Sequence, residues 1–320
     1  MRRLRRTLAM LGVGTVATFA AAGIASERAG ADAAVRPSAD PVAASTAAAA
    51  ADSDDVTLAD SLFGLSGKLH MRFLARASND FVIPVLQQLF GDSAARKSGI
   101  FRVPNAEREF AFVSMIPFTE KRNGRIGSYR IGSWPGEHGR HVSQAYANPD
   151  GFIEVTPENQ DARVSEHFRL RDFLTKGQND VWPKYLVLDL KLIDKLELVI
   201  DELKASGLPV EHMTVMSGFR TPQYNANGGS TAGRASLSRH MYGDAADVFV
   251  DNDGNGRMDD LNGDRRVDHR DAQVIHAAAE RVEKKYPQLL GGVGVYQATS
   301  AHGPFAHVDV RGSRARWGLL

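Results

Sequence analysis

Ten residues near the C-terminal third, Ser238 to Asp247, reading SRHMYGDAAD, restrict the fold more than any other stretch. His240 and Asp247 stand seven positions apart, with small Gly243, Ala245 and Ala246 between them. Seven residues is too far for one helical turn of about 3.6. The spacing fits an imidazole on a loop or helix end, followed by a carboxylate on an incoming strand. The run ADVFV predicts that strand, and its period of two puts Ala245, Asp247 and Phe249 on one face. A second polar pair lies in FAHVDV, where His307 and Asp309 share a face and Val308 and Val310 share the other. Two imidazoles, His240 and His307, and the Asp247 carboxylate on neighbouring strands would give a three-ligand zinc site. Its fourth position would stay open for water, the arrangement of a catalytic zinc.

Ser238, His240, Gly243, Ala245 and Asp247 resemble, position for position, the Ser-x-His-x-x-Gly-x-Ala-x-Asp signature of the zinc D-Ala-D-Ala metallopeptidases, peptidase family M15. The branch ending in a His-Val-Asp strand and a basic, tryptophan-containing tail is the nearer likeness. Here those parts are HVDVRG, His307 to Gly312, and RARW, Arg314 to Trp317. The segment SGFRTPQYN, Ser217 to Asn225, is similar to the family's substrate-side segment, and the resemblance covers roughly residues 165 to 320. It implies an α+β fold of the Hedgehog/D-Ala-D-Ala peptidase type, a small antiparallel sheet with flanking helices and zinc at its open face. It also implies hydrolysis of peptide bonds near D-alanine in bacterial cell-wall peptidoglycan, as D,D-carboxypeptidase or endopeptidase. By the same resemblance Arg220 binds a carboxylate or carbonyl of the substrate, a task suited to a planar, always-charged fork. Ser238 is expected to hydrogen-bond the metal loop and not to act as a nucleophile. One departure matters: several relatives carry an acidic base three residues before the last zinc histidine, and Pro304 stands there. His302 and Asp309 are the substitutes on offer, and the sequence does not choose between them.

Composition agrees with an exported globular protein. The chain has 320 residues and a formal net charge of +1, so no basic balance points to nucleic acid. It has no cysteine, which excludes disulfides, thiolate ligands, a cysteine nucleophile and a lipid-attached cysteine. Arg2, Arg3, Arg5 and Arg6 precede an apolar run from Leu8 to Ile24, and Ala31-Asp32-Ala33 offers a small-x-small cleavage site. Residues 1–34 therefore read as a signal peptide, and the rest as periplasmic or secreted. Membrane contact is expected only if that signal stays uncleaved. Residues 35–56, rich in Ala, Ser, Asp and Pro, read as a disordered linker.

Residues 57–158 read as a small β-rich N-terminal unit. Leu69, Phe73 and Leu74 lie at mixed helical spacing, and the runs GIFRV, EFAFVSMI, GSYRIGSW and GFIEV follow, separated by turn signals such as Asn123-Gly124. His138 and His141 read as a polar loop, since no third ligand stands nearby. Residues 159–320 form the expected peptidase domain. Its amphipathic helix carries Leu192, Ile193, Leu196, Val199, Ile200 and Leu203 and stops at Gly207.

Between Asp247 and His307 lies an acidic insertion, residues 251–271, whose carboxylates and amides alternate with Gly as in calcium loops. One register uses Asp251, Asp253, Asn255 and Asp259, with Gly256 at the sharp turn and Asn262 where a bidentate Glu belongs. A second uses Asp260, Asn262, Asp264, Asp268 and Asp271. It resembles the calcium loop of dockerin modules, with Arg265 in place of Gly. Zinc, and calcium as a structural ion, are thus the expected cofactors, and peptidoglycan peptides the expected partners. A wall-binding module that keeps the zinc fold without catalysis, and a calcium-organised adhesion or scaffolding protein, are the alternatives. Asp268 is expected to cap the next helix, whose buried stripe is Ile275, Ala279, Val282 and Tyr286.

Overall fold

Alternation along three short strands builds the sheet that carries the site. The computed structural model describes residues 62–318, apart from 140–141 and 230–233. The expected signal (1–34), the linker (35–56) and His141 lie outside the described residues. From Leu62 onward the chain forms one unit by its contacts.

In its first part, strands β1 (Met71–Leu74), β2 (Gly99–Arg102) and β3 (Ala111–Ser114) form a three-stranded sheet, and helices α1 (Pro84–Phe90) and α2 (Asp92–Ala95) lie between β1 and β2 in sequence. Phe73 and Leu74, read at helical spacing, belong instead to β1. Pairing with the buried β3 decides there over local pattern. Asn123 and Gly124 both take positive φ, 50° and 71°, between Arg122 and Arg125, which exchange both backbone hydrogen bonds. That is the turn the dipeptide signals. It is followed by the short hairpin of β5 (Arg125–Ile126) and β6 (Tyr129–Arg130). A further sheet runs β4 (Ile116–Pro117), β7 (Gly151–Val155), β8 (Lys184–Leu186), so strands from either side of residue 158 pair directly.

The second part opens with α3 (Leu190–Ala205), capped by the Asp189 carboxylate on the Lys191 N–H. It continues through β9 (Met213–Ser217), α4 (Pro222–Asn227), β10 (Ala245–Val250), α5 (His269–Lys285), β11 (Gly292–Tyr296), β12 (Phe305–Asp309) and β13 (Ala315–Trp317). These strands form one sheet in the order β13-β11-β12-β10-β9. The sheet is antiparallel except at its edge, where β13 runs parallel to β11. The basic tail RARW is therefore a structural strand, placed there because the chain reverses after β12 and passes to the far side of β11. Val248, Val250, Val293, Val295 and Val308 are buried in the same apolar cluster as the inward stripes of α3 and α5. The alternate residues of these strands are left for the site. Asp268 caps α5, and the Asp271 carboxylate returns a bond to the Asp268 N–H.

Helix α3 is buried beyond its apolar stripe. Asp194 accepts from the Leu65 and Ser66 N–H groups, and Glu197 accepts from the His167 backbone N–H and contacts its ring. Lys195 is wholly buried and donates to Glu283 on α5 at 2.5 Å and to the Asp309 carbonyl at 2.7 Å. Arg316 on β13 bonds the other Glu283 oxygen. Lys195 thus ties both helices to the strand that carries His307. Removing one partner of a buried pair leaves the other charge unmatched, at a cost of about 3–5 kcal/mol. Lys195→Met should lower unfolding free energy by that amount in urea denaturation. A loss under about 1 kcal/mol would show that Glu283 is satisfied without the lysine.

Candidate active site

Backbone pairing brings the three expected ligands together. Asp247 on β10 and His307 on β12 are direct Cα partners, so their side chains rise from one face side by side. His240 arrives from the 3-10 turn Arg239–Tyr242, which ends at Gly243 with φ of 70°. A Cβ at Gly243 would lie 2.3 Å from the Val187 carbonyl oxygen, so the turn tolerates only glycine there. The His240 Nε2 lies 3.2 Å from His307 Nδ1 and 3.3 Å from Asp247 Oδ1, and His307 Nδ1 lies 2.9 Å from the same oxygen. All three side chains are buried, and they form a group that could hold a metal ion.

Neighbouring groups fix the ring orientations. The Gly218 carbonyl accepts from His240 Nδ1 at 2.8 Å, which turns Nε2 toward the centre. His307 Nε2 donates to Asp309 Oδ2 at 3.1 Å, which turns Nδ1 inward. Each imidazole thus turns one nitrogen to the same point, where a zinc ligand must be bare of its proton. Burial disfavours charge on His307, but its bonds to Asp247 and Asp309 prevail and raise its pKa. Burial pushes the His240 pKa down and keeps that ring neutral. Burial opposes charge on Asp247, but the His240 and His307 rings, where they carry a proton toward it, outweigh burial and hold the carboxyl well below its usual range.

Asp309 is fully buried. Its carboxylate accepts from the Gly292 N–H at 2.7 Å, from the Arg311 N–H at 3.1 Å and from the Arg311 guanidinium. Burial disfavours its charge, yet the bonds from His307 and Arg311 prevail and its pKa is lowered. Gly291 and Gly292 make room for it: a Cβ would lie 1.8 Å from the Asp309 carbonyl oxygen at the first and 2.4 Å from Oδ2 at the second. With every oxygen engaged and no surface exposed, this side chain has no approach to a substrate. His302 lies instead on the loop before β12, half-buried, with Nδ1 on the Gly303 carbonyl at 2.8 Å and its ring edge-on to Phe305.

Arg220 stands at the ligand group itself. It donates through Nε to Ser217 Oγ at 2.8 Å and through its guanidinium to Asp247 Oδ2 at 2.5 Å, leaving Oδ1 to the imidazoles. Ser238 is buried, and its carbonyl accepts from the Met241 N–H; its side chain makes no cap bond to the turn. Sequence reasoning missed several contributors. Trp134, far upstream, donates its indole N–H to the Met241 carbonyl at 2.9 Å and braces the His240 turn. Trp317 of the tail packs 5.1 Å from the His307 ring and donates to the Tyr296 hydroxyl at 3.0 Å. Gly294 in the GGVGVY run leaves room for the Trp317 indole, while nothing in the sequence marks Trp134.

In the acidic insertion, Asp251, Asp253 and Asp259 approach one another closely enough to hold a cation. Asp251 accepts from the Asn255 and Gly256 N–H groups, and Asn255 Oδ1 from the Arg257 N–H. In the second register Arg270 pairs with Asp264 and Asp268, while Asp271 accepts from the Leu261, Asn262 and Asp268 N–H groups. Asp260 and Asn262 likewise accept backbone N–H groups of their own loop. Among the described residues this second set brings no trio of carboxylates together.

Residues 166–276 match the family model described as Peptidase M15. That segment, well under half of the chain, is similar to the Peptidase M15 family. The segment holds Arg220, Ser238, His240, Asp247 and the acidic insertion, and His307 follows on a strand beyond it. No curated protein and no solved structure matches the chain. The Peptidase M15 family is zinc-dependent, and the donor set here, two inward imidazole nitrogens and one ionised carboxylate, fits that ion.

Asp309→Asn should lower zinc affinity by about 10–100-fold in a chelator competition, because the bond that aims His307 is weakened. Unchanged affinity would contradict that role. The folded-state pKa of Asp309 is depressed, so its stabilisation is present above the ordinary carboxyl value of about 3.9 and lost on acidification. The stability gap between wild type and Asp309→Asn should therefore be widest near neutrality and narrow progressively as pH falls below about 4.

Proposed function

We propose that this protein is a zinc peptidase similar to the Peptidase M15 family and hydrolyses peptide bonds near D-alanine in cell-wall peptidoglycan. The observation that carries the reading is the convergence of His240 Nε2, His307 Nδ1 and Asp247 Oδ1 on one point. Zinc bound by these residues would supply a lowered water pKa and a polarised carbonyl. The chain's own residues do the rest. His240 and His307 would hold the ion as neutral rings, aimed by Gly218 and Asp309. Arg220, a sixth exposed at its side chain, keeps Asp247 oriented and offers its fork to the carboxylate or carbonyl of the peptide. His302 is the group we assign as general base in place of Pro304. Its Nδ1–H is spent on Gly303, which leaves Nε2 to accept a proton. Asp309 serves by orienting His307. The fold is of the Hedgehog/D-Ala-D-Ala peptidase type, with the ion at the open face of the sheet. Export by residues 1–34 suits a wall substrate.

A calcium ion in the first register of the insertion, on Asp251, Asp253, Asn255 and Asp259, is a second part of this reading. It is supported by the close approach of the three carboxylates. Such an ion would stiffen the connection between β10 and α5.

Digestion of purified wall peptides by wild type and by His240→Ala, with metal measured on both, tests the reading. Wild type should carry one zinc and release peptide products, and the variant should lose both. Chelation should stop wild-type cleavage and added zinc restore it. Zinc in the wild type with no products would support the wall-binding alternative instead.

A further inference from the structure

Tyr296 closes β11 on the face that carries the ligands. Gly294 is the Cα partner of His307, and Tyr296 that of Phe305, so the tyrosine stands one row beyond His307 and Asp247. Its ring stacks on Phe305 with centroids 4.5 Å apart and planes 9° apart, which fixes its direction. It remains 38% exposed, unlike the buried ligands. The hydroxyl is held by Trp317, whose indole seats on Gly294; a Cβ there would lie 2.2 Å from the indole ring.

The direction of the Trp317–Tyr296 hydrogen bond decides what the hydroxyl can do. An indole N–H only donates, so the tyrosine oxygen must accept. The phenolic proton is then not part of that bond, and among the described residues no acceptor takes it. Burial raises the Tyr296 pKa, helped by the nearby Asp247 charge, and this outweighs the opposite pull of the Trp317 hydrogen bond and of Arg220, so the proton stays on the oxygen. The result is a neutral donor, partly open to solvent and beside the ligand row, turned by a partner that competes only for its lone pair.

We propose that Tyr296 is a further catalytic residue: its hydroxyl, positioned by Trp317, donates a hydrogen bond to the scissile carbonyl oxygen as negative charge develops there. The assignment rests on the peptidase reading above. It gives the carbonyl oxygen a fixed donor from the β11 side, whereas Arg220 is anchored from the β9–α4 side. A donor of this kind strengthens as the carbonyl becomes an oxyanion, so it acts on the transition state more than on the bound substrate.

Tyr296→Phe keeps the stacked ring and removes only the hydroxyl. With zinc-loaded protein and purified wall stem peptides, kcat should fall on the order of 10²-fold while KM changes less than about threefold. Zinc content and thermal midpoint should stay at wild-type values. Calorimetric binding of a phosphinate analogue of D-Ala-D-Ala should weaken by at least about tenfold, a readout independent of turnover. Trp317→Phe, which keeps an aromatic ring near His307 but loses the N–H, should fall between wild type and Tyr296→Phe in kcat. The proposal is overturned if Tyr296→Phe cleaves within threefold of wild type. It is equally overturned if zinc content falls in step with activity, since the tyrosine would then act through the metal ligands. A wild type that cleaves none of the peptides removes the peptidase reading and the proposal with it. Cleavage by wild type with an unaffected variant removes the proposal alone.

Discussion

The site depends on the register of one antiparallel strand pair. Because Asp247 lies directly across from His307, two side chains 60 positions apart in sequence rise from the same face within hydrogen-bonding distance. A slip of one residue would send His307 into the valine layer and Val308 toward the metal point. The buried valines of β10, β11 and β12 therefore specify the chemistry on the opposite face as much as they specify the core.

Around that pair the protein places rigid groups in successive layers. Gly218 and Asp309 aim the rings; Gly291 and Gly292 leave room for Asp309; Lys195, Glu283 and Arg316 anchor its strand to two helices. Each buried charge has a partner on a different element, so the polar network also fixes how the helices sit on the sheet. A half-satisfied network of this sort would be worse than an apolar one. Here the carboxylate of Asp309 has four separate donor groups, which explains why it stays ionised at zero exposure.

Much of this was legible in the sequence, for identifiable reasons. His240, Asp247 and His307 could be read because motif spacing and strand alternation are local properties. The helix carrying Leu192 to Leu203 and the Asp268 cap were readable on the same ground. The role of Lys195 was not, because it sits mid-helix among other charges, and its burial is set by Glu283 and Asp309 on other elements. Tyr296 and Trp317 were hidden for a similar reason: the parallel pairing of β13 with β11 that joins them follows from chain path, not from pattern. Asp309 and His302 differ sharply in burial, which the sequence does not show, since both residue types suit proton transfer on paper.

The central claim is that one ion sits between His240 Nε2, His307 Nδ1 and Asp247 Oδ1. An anomalous difference map at the zinc edge, from crystals of the zinc-loaded protein, addresses it directly. The account predicts one strong peak within about 2.0–2.2 Å of those three atoms and an open fourth position. A peak held by other residues, or none at this point under saturating zinc, would contradict it.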